Sequence, residues 1–196
     1  MKKTVNFYFS VISSYTYLAA PRFAAVVGRT GASIVYKPVD IMQIFLASGT
    51  TPPAKQSDAR KAYRMADLAR VAKSLDMPLN LKPVFWPAKQ NLASGLIIAA
   101  QDAGADTMPL TQAILKAVWA EDKNIADELI LADLAHSCGL NGSDLLHQAK
   151  SKVVQSIFDE NTTEASKKGV FGSPSFILEG ELFWGQDRLN YLEAAL

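Results

Sequence analysis

The chain has 196 residues, 49% hydrophobic and 20% charged, enough to bury one large core or a domain carrying a substantial insertion. Twenty Lys and Arg against nineteen Asp and Glu leave a formal charge of +1, scattered rather than gathered into a stripe, which argues against a nucleic-acid partner. The single cysteine, Cys138, excludes an internal disulfide, a Cys-x-x-Cys pair and a sulfur-rich zinc site, and reads as a structural thiol.

Val5, Phe7 and Phe9 alternate with Asn6 and Tyr8, which predicts a largely buried strand. A serine-rich turn follows, with Ser10, Ser13 and Ser14, and then an amphipathic helix carrying Tyr17, Leu18, Phe23, Ala24 and Val27. Ser13 or Ser14 caps it, Pro21 kinks it, and Gly28 and Gly31 end it. Lys2 and Lys3 before this stretch loosely imitate a secretory leader, but polar residues from Asn6 to Thr16 interrupt the apolar run and favour the strand. No run is long and apolar enough to predict a membrane-spanning helix.

Ser33 to Val39 reads as a second strand, so the chain opens with a β-α-β unit. Thr50 to Pro53 is a loop. From Asp58 to Lys168 almost every segment reads as helix, with breaks at Gly104, Pro109 and Gly139. The tail supplies a strand over Ser175 to Leu178, a turn at Glu179 and Gly180, a strand over Glu181 to Trp184, and a helix from Asp187 to Leu196 with Asp187 at its start. The predicted fold class is α/β: one mixed sheet interrupted by an all-helical insertion. Residues 1–40 and 169–196 form the sheet domain, and residues 41–168 the insertion and connections.

His136 and His147 lack metal-type spacing, no glycine-rich phosphate motif is present, and the acidic residues at 121–122 and 127–128 read as a solvated patch. Read from the residues alone, Ser13 is a helix cap rather than a site residue, and Asp187 is a cap.

The β-α-β and β-β-α halves, with Val170-Phe171-Gly172-Ser173-Pro174 before the third strand, resemble the thioredoxin fold and its cis-proline loop. Phe7-Tyr8-Phe9 with Ser13-Ser14-Tyr15-Thr16-Tyr17-Leu18-Ala19, Gly49 to Pro53, Ala62-Tyr63 through Asp67-Leu68, and Phe183 to Leu189 together resemble the 2-hydroxychromene-2-carboxylate isomerase family, a kappa-class glutathione transferase-like group. The resemblance implies a cytoplasmic, homodimeric, glutathione-dependent isomerase acting on a small aromatic-degradation intermediate by thiolate addition, bond rotation and elimination. It makes Ser13 the catalytic residue, holding the glutathione sulfur. Thr50, Arg60, Ser173, Pro174, Gln186 and Asp187 become glutathione-binding residues, with Lys61 beside Arg60, and Tyr15 and Trp184 become walls of the substrate pocket. The chain departs from the family pattern at three places: Ser10 where aspartate is usual, Ser14 where proline is usual, and Thr50 where asparagine is usual. Two rivals remain: a kappa-like glutathione transferase or peroxidase that consumes its thiol, and a non-catalytic thioredoxin-fold binding protein.

Overall fold

The structure is a computed structural model that describes residues 2–196. Strand β1 (Thr4–Phe9) is the hub of a four-stranded sheet of order β2-β1-β3-β4. It pairs in parallel with β2 (Ser33–Pro38) and antiparallel with β3 (Ser175–Leu178), which in turn pairs antiparallel with β4 (Glu181–Trp184). The β3-β4 turn places Glu179 at φ 51° and Gly180 at φ 92°, the left-handed pair that a two-residue hairpin needs.

Alternation along β1 divides the core. Val5, Phe7 and Phe9 face helix α1 (Ser14–Thr30), where Phe7 stacks on Phe176 at 5.1 Å and Phe23 meets Phe176 at 4.6 Å. Each fully buried phenylalanine contributes about 1.5–3 kcal/mol relative to exposure. Tyr8 and Ile177 face the other way. There they meet Ile41 and Ile44 of α2 (Ile41–Ser48) and Ala165 of α8 (Lys152–Lys167).

Helix α1 runs through Pro21 without ending and stops one residue before Gly31, whose φ of 68° makes the left-handed cap. After α2 come a short 3₁₀ turn at Pro53–Lys55 and α3 (Asp58–Ser74). Helices α4 (Asn91–Asp102), α5 (Met108–Trp119), α6 (Glu128–Ser137) and α7 (Gly142–Ala149) then stack on one another and on α1, sharing one continuous core with the sheet. The chain closes with α9 (Leu189–Ala195), packed beside α1.

Three local expectations change. Residues 41–48 form a helix that the mostly apolar run Ile41 to Leu46 did not announce. Residues 75–90, read as part of a helical region, form no helix. Pro78, Pro83 and Pro87 prevent one, and the segment is tied instead by Asn80 N–H to the Trp119 carbonyl (2.7 Å), Tyr17 hydroxyl to the Pro78 carbonyl (2.7 Å) and Trp86 Nε1 to the Ile12 carbonyl (3.0 Å). Asp187 does not begin the last helix: it lies in a turn one residue ahead of the N-cap, Arg188, which makes no side-chain cap bond. No helix among the described residues is long and apolar enough to cross a membrane.

Candidate active site

Ser13 is the N-cap of α1. Its Oγ accepts from the Thr16 N–H at 3.2 Å and donates to the Ser173 carbonyl, also at 3.2 Å. The first turn of α1 carries no acidic side chain, and Ser14 and Tyr15 at its first two positions have N–H groups beyond the reach of intrahelical bonding. The turn is therefore electropositive from backbone alone.

Ser173 is its second anchor. The Ser173-Pro174 peptide bond is cis, as is Trp86-Pro87. Ser173 Oγ accepts the Ser10 backbone N–H at 2.9 Å and shares a proton with Thr16 Oγ1 at 2.8 Å. On the far side of the loop the Pro174 carbonyl accepts from Gly185 N–H at 3.0 Å. The loop that precedes β3 is thus clamped to both the α1 turn and the β4 exit.

The two unusual serines are explained by their partners. Ser10 is fully buried, and its hydroxyl donates to Gln90 Oε1 at 2.8 Å, joining the turn to the end of the 75–90 segment. Ser14 is also fully buried and accepts from Arg64 Nη2 at 2.9 Å. Both are bonds between residues remote in sequence.

A cleft of about 640 Å³ opens between α3 and the 184–188 turn. Its walls bring together Tyr15, Arg60, Ser173, Trp184, Gln186 and Asp187, six of the residues singled out from sequence. Ser13 is one hydrogen bond away, through Ser173. Pro174 is buried and is not part of the wall. Thr50 is not part of the wall: its hydroxyl pairs with Ser48 Oγ at 2.8 Å and reaches the Phe171 carbonyl at 3.4 Å. Lys61 pairs with Asp58 on the exposed face of α3 at 3.5 Å.

The cleft also contains residues that the sequence reading missed. Arg64, half-buried, lies 4.9 Å over the Tyr15 ring, and the Tyr15 hydroxyl donates to Asp67 at 2.8 Å. Burial, then the bond to Asp67, drives the Tyr15 hydroxyl far above its usual pKa, so it is a neutral donor at any physiological pH. The spacing 60, 64, 67 was the available signal, since it places three charged groups on one helical face. Arg22 reaches from α1 to hold Gln186 through both its carbonyl (2.7 Å) and its side-chain oxygen. Burial lowers the Arg22 pKa, partly offset by the charge of Asp187. Asp187 itself is exposed and paired with Arg188 at 2.5 Å.

Trp184 stands against Phe171 at 4.7 Å, and a Cβ at Gly172 would collide with its indole nitrogen. No cluster of three or more His, Cys, Asp or Glu able to hold a metal occurs among the described residues. Cys138 caps α6 and is no part of the cleft wall.

Comparison with known proteins bears on this arrangement. The family profile described as DSBA-like thioredoxin domain matches residues 4–196. The chain is 32% identical over 197 residues to 2-hydroxychromene-2-carboxylate isomerase of Sphingobium xenophagum, covering 100% of this chain and 99% of the relative. It belongs to the 2-hydroxychromene-2-carboxylate isomerase family of DSBA-like thioredoxin proteins. A solved structure of a 2-hydroxychromene-2-carboxylate isomerase superposes with a TM-score of 0.78 at 29% identity, covering 98% of this chain and 93% of the other. Glutathione S-transferase kappa 1 of Caenorhabditis elegans is 26% identical, over 96% of this chain and 88% of the relative. The family is one of enzymes, with an isomerase role, and the thioredoxin fold with its helical insertion is the fold of this family member.

Proposed function

We propose that the chain is a glutathione-dependent isomerase of 2-hydroxychromene-2-carboxylate or a closely related aromatic-degradation intermediate. The observation that carries this reading is the placement of Ser13: a hydroxyl at the electropositive start of a 17-residue helix, bonded to Ser173, which precedes a cis-proline and lines an open cleft. The names of its family relatives supply the substrate, and the kappa transferase relative supports the thiol.

The cleft fits a tripeptide of this kind. Its volume is within the usual range of about 300–1,000 Å³ for small-molecule sites. Arg60 offers a cation, the exposed Asp187–Arg188 pair offers charge of both signs, and Trp184 offers an apolar wall. When bound, glutathione supplies a thiol that adds reversibly to a conjugated carbon, lets the bond that has become single rotate, and leaves again.

Every other contribution is the chain's own. Ser13 Oγ–H, which donates to the neutral Ser173 carbonyl, would rotate to donate toward a thiolate at the head of α1. An ordinary thiol has a pKa near 8.5 and is only a few per cent ionised at neutrality. A donor and a helix N-terminus both favour the charged form, each pKa unit lowered being worth about 1.4 kcal/mol. Ser173, held by Ser10 and Thr16, presents its backbone along one side, while Asp187 and Gln186 hold the other. A cytoplasmic setting suits this use of a reduced thiol. The homodimer rests on resemblance alone, and sedimentation tests it.

Calorimetric titration with glutathione followed by turnover of 2-hydroxychromene-2-carboxylate at substoichiometric glutathione tests the reading. Saturable binding and many turnovers per thiol are expected. Absence of binding at millimolar glutathione overturns it, and stoichiometric loss of thiol replaces it with a transferase.

A further inference from the structure

We infer that Arg64 selects the electrophile by binding a carboxylate borne next to its reacting atoms, an assignment that rests on the thiol-dependent reading above. Arg64 lies one turn along α3 from Arg60 and lines the same cleft. It is better fixed than Arg60. Its Nη2 donates to Ser14 at 2.9 Å and its guanidinium carbon lies 4.9 Å over the Tyr15 ring, so the plane of the fork is set before any ligand arrives.

Arg64 also has no direct ion-pair partner among the described residues, although the charge of Asp67 acts on it from a distance. Asp67, three residues along the same helix, already accepts from the Tyr15 hydroxyl at 2.8 Å and pairs with Arg70 at 3.2 Å. A guanidinium has five N–H donors, and only one is used here. Burial pulls its pKa below the ordinary arginine range, the mark of a cation taken from water without full compensation. Such a group is complementary to an anion, and its planar fork matches a carboxylate bidentately.

Position decides which carboxylate. Arg64 is bonded to Ser14, the residue after Ser13, and lines the same cleft as Ser173, whose carbonyl Ser13 holds, so its guanidinium lies toward the end of the cleft where the proposed function puts the thiol. Glutathione carries its own carboxylates at its two ends and its thiol in the middle. A cation at the thiol end of the cleft therefore faces the electrophile, leaving the exposed Arg60 for an end of the tripeptide. Arg64 is then the residue of this chain that recognises the carboxylate of the electrophile proposed above.

The test compares R64M and R64K with the unaltered protein, using glutathione calorimetry and initial rates on 2-hydroxychromene-2-carboxylate. R64M should raise KM about tenfold or more, the cost of losing one charge-assisted contact, while the glutathione Kd stays within about twofold. R64K should fall between, since it restores charge without the fork. A glutathione Kd that weakens in step with KM, a fall in kcat alone, or no change in either overturns the assignment. If R64M fails to fold, as judged by circular dichroism, R64K carries the same comparison. Failure of the unaltered protein to bind glutathione sinks the underlying reading and is seen before any variant is made. Normal turnover with R64M indistinguishable from it sinks only Arg64.

Discussion

The Ser13 hydroxyl donates to the carbonyl of Ser173 at 3.2 Å across 160 residues of sequence. That one bond couples a helix cap to the cis-proline loop. The same oxygen accepts the Thr16 N–H, so both its proton and a lone pair are engaged before a ligand enters. A thiolate competes well for the proton, because a charged acceptor makes a hydrogen bond roughly twice as strong as a neutral one.

Ser13→Ala should therefore show two separable losses. Removing the cap costs about 1 kcal/mol of stability, read as a lower midpoint in urea unfolding. The thiol of bound glutathione should also titrate at least about one unit higher, measured by thiolate ultraviolet absorbance against pH. Ser13→Thr keeps a capping hydroxyl and should recover the stability. A thiol pKa unchanged in Ser13→Ala would leave Ser13 a cap and nothing more.

Ser10 makes a different kind of prediction, because its hydroxyl is fully buried and donates to a buried acceptor, Gln90 Oε1, at 2.8 Å. Ser10→Ala orphans that oxygen, at a cost of about 1–3 kcal/mol in denaturant unfolding. Adding Gln90→Leu removes the orphan, so the double variant should be less destabilised than the sum of the singles. Strict additivity in this cycle would show that the bond carries no coupling.

How far the sequence reveals these relationships depends on whether they are local. The strand at Val5 to Phe9, the helix capped by Ser13 and the hairpin at Glu179 and Gly180 all follow from short-range pattern, and the structure has them. Helix α2 was missed because Ile41 to Leu46 is apolar at every position but Gln43, and a short run of that kind has no period to read. The 75–90 segment was misread despite its prolines, because what orders it is distant: the Trp119 and Ile12 carbonyls. Ser10 and Ser14 looked like unexplained departures for the same reason, since Gln90 and Arg64 lie 80 and 50 residues away. The resemblance puts Thr50 at the site, while its hydroxyl meets Ser48 and the Phe171 carbonyl.

Gly172→Ala probes the Trp184 wall without touching a charged group. The added methyl would collide with the indole nitrogen, and Trp184 is 48% exposed, so the ring can swing outward rather than force the backbone. The expected result is a red-shifted tryptophan emission and a glutathione Kd several-fold weaker, with stability changed by less than about 1 kcal/mol. An unchanged Kd with a shifted emission would remove Trp184 from the binding surface.

The acid limit of stability should be set in part on the opposite face of the sheet. Burial pushes the Glu164 carboxyl up, but hydrogen bonds from Lys168 (2.6 Å) and Lys37 outweigh it and hold the group at about 2, below its ordinary 4.5. The Tyr8 hydroxyl lies near but is buried without a well-formed bond of its own. Because the folded value is depressed, this contribution is fully present above pH 4.5 and is lost as pH falls from there toward 2. Glu164 remains 33% exposed, so solvent screening limits the effect to roughly 1 kcal/mol. Glu164→Gln should be less stable than the unaltered protein at neutral pH, with the gap closing between pH 4.5 and 2. Urea midpoints measured across that range check it. A gap independent of pH would mean that packing against Tyr8 and Lys37, rather than charge, fixes this corner of the fold.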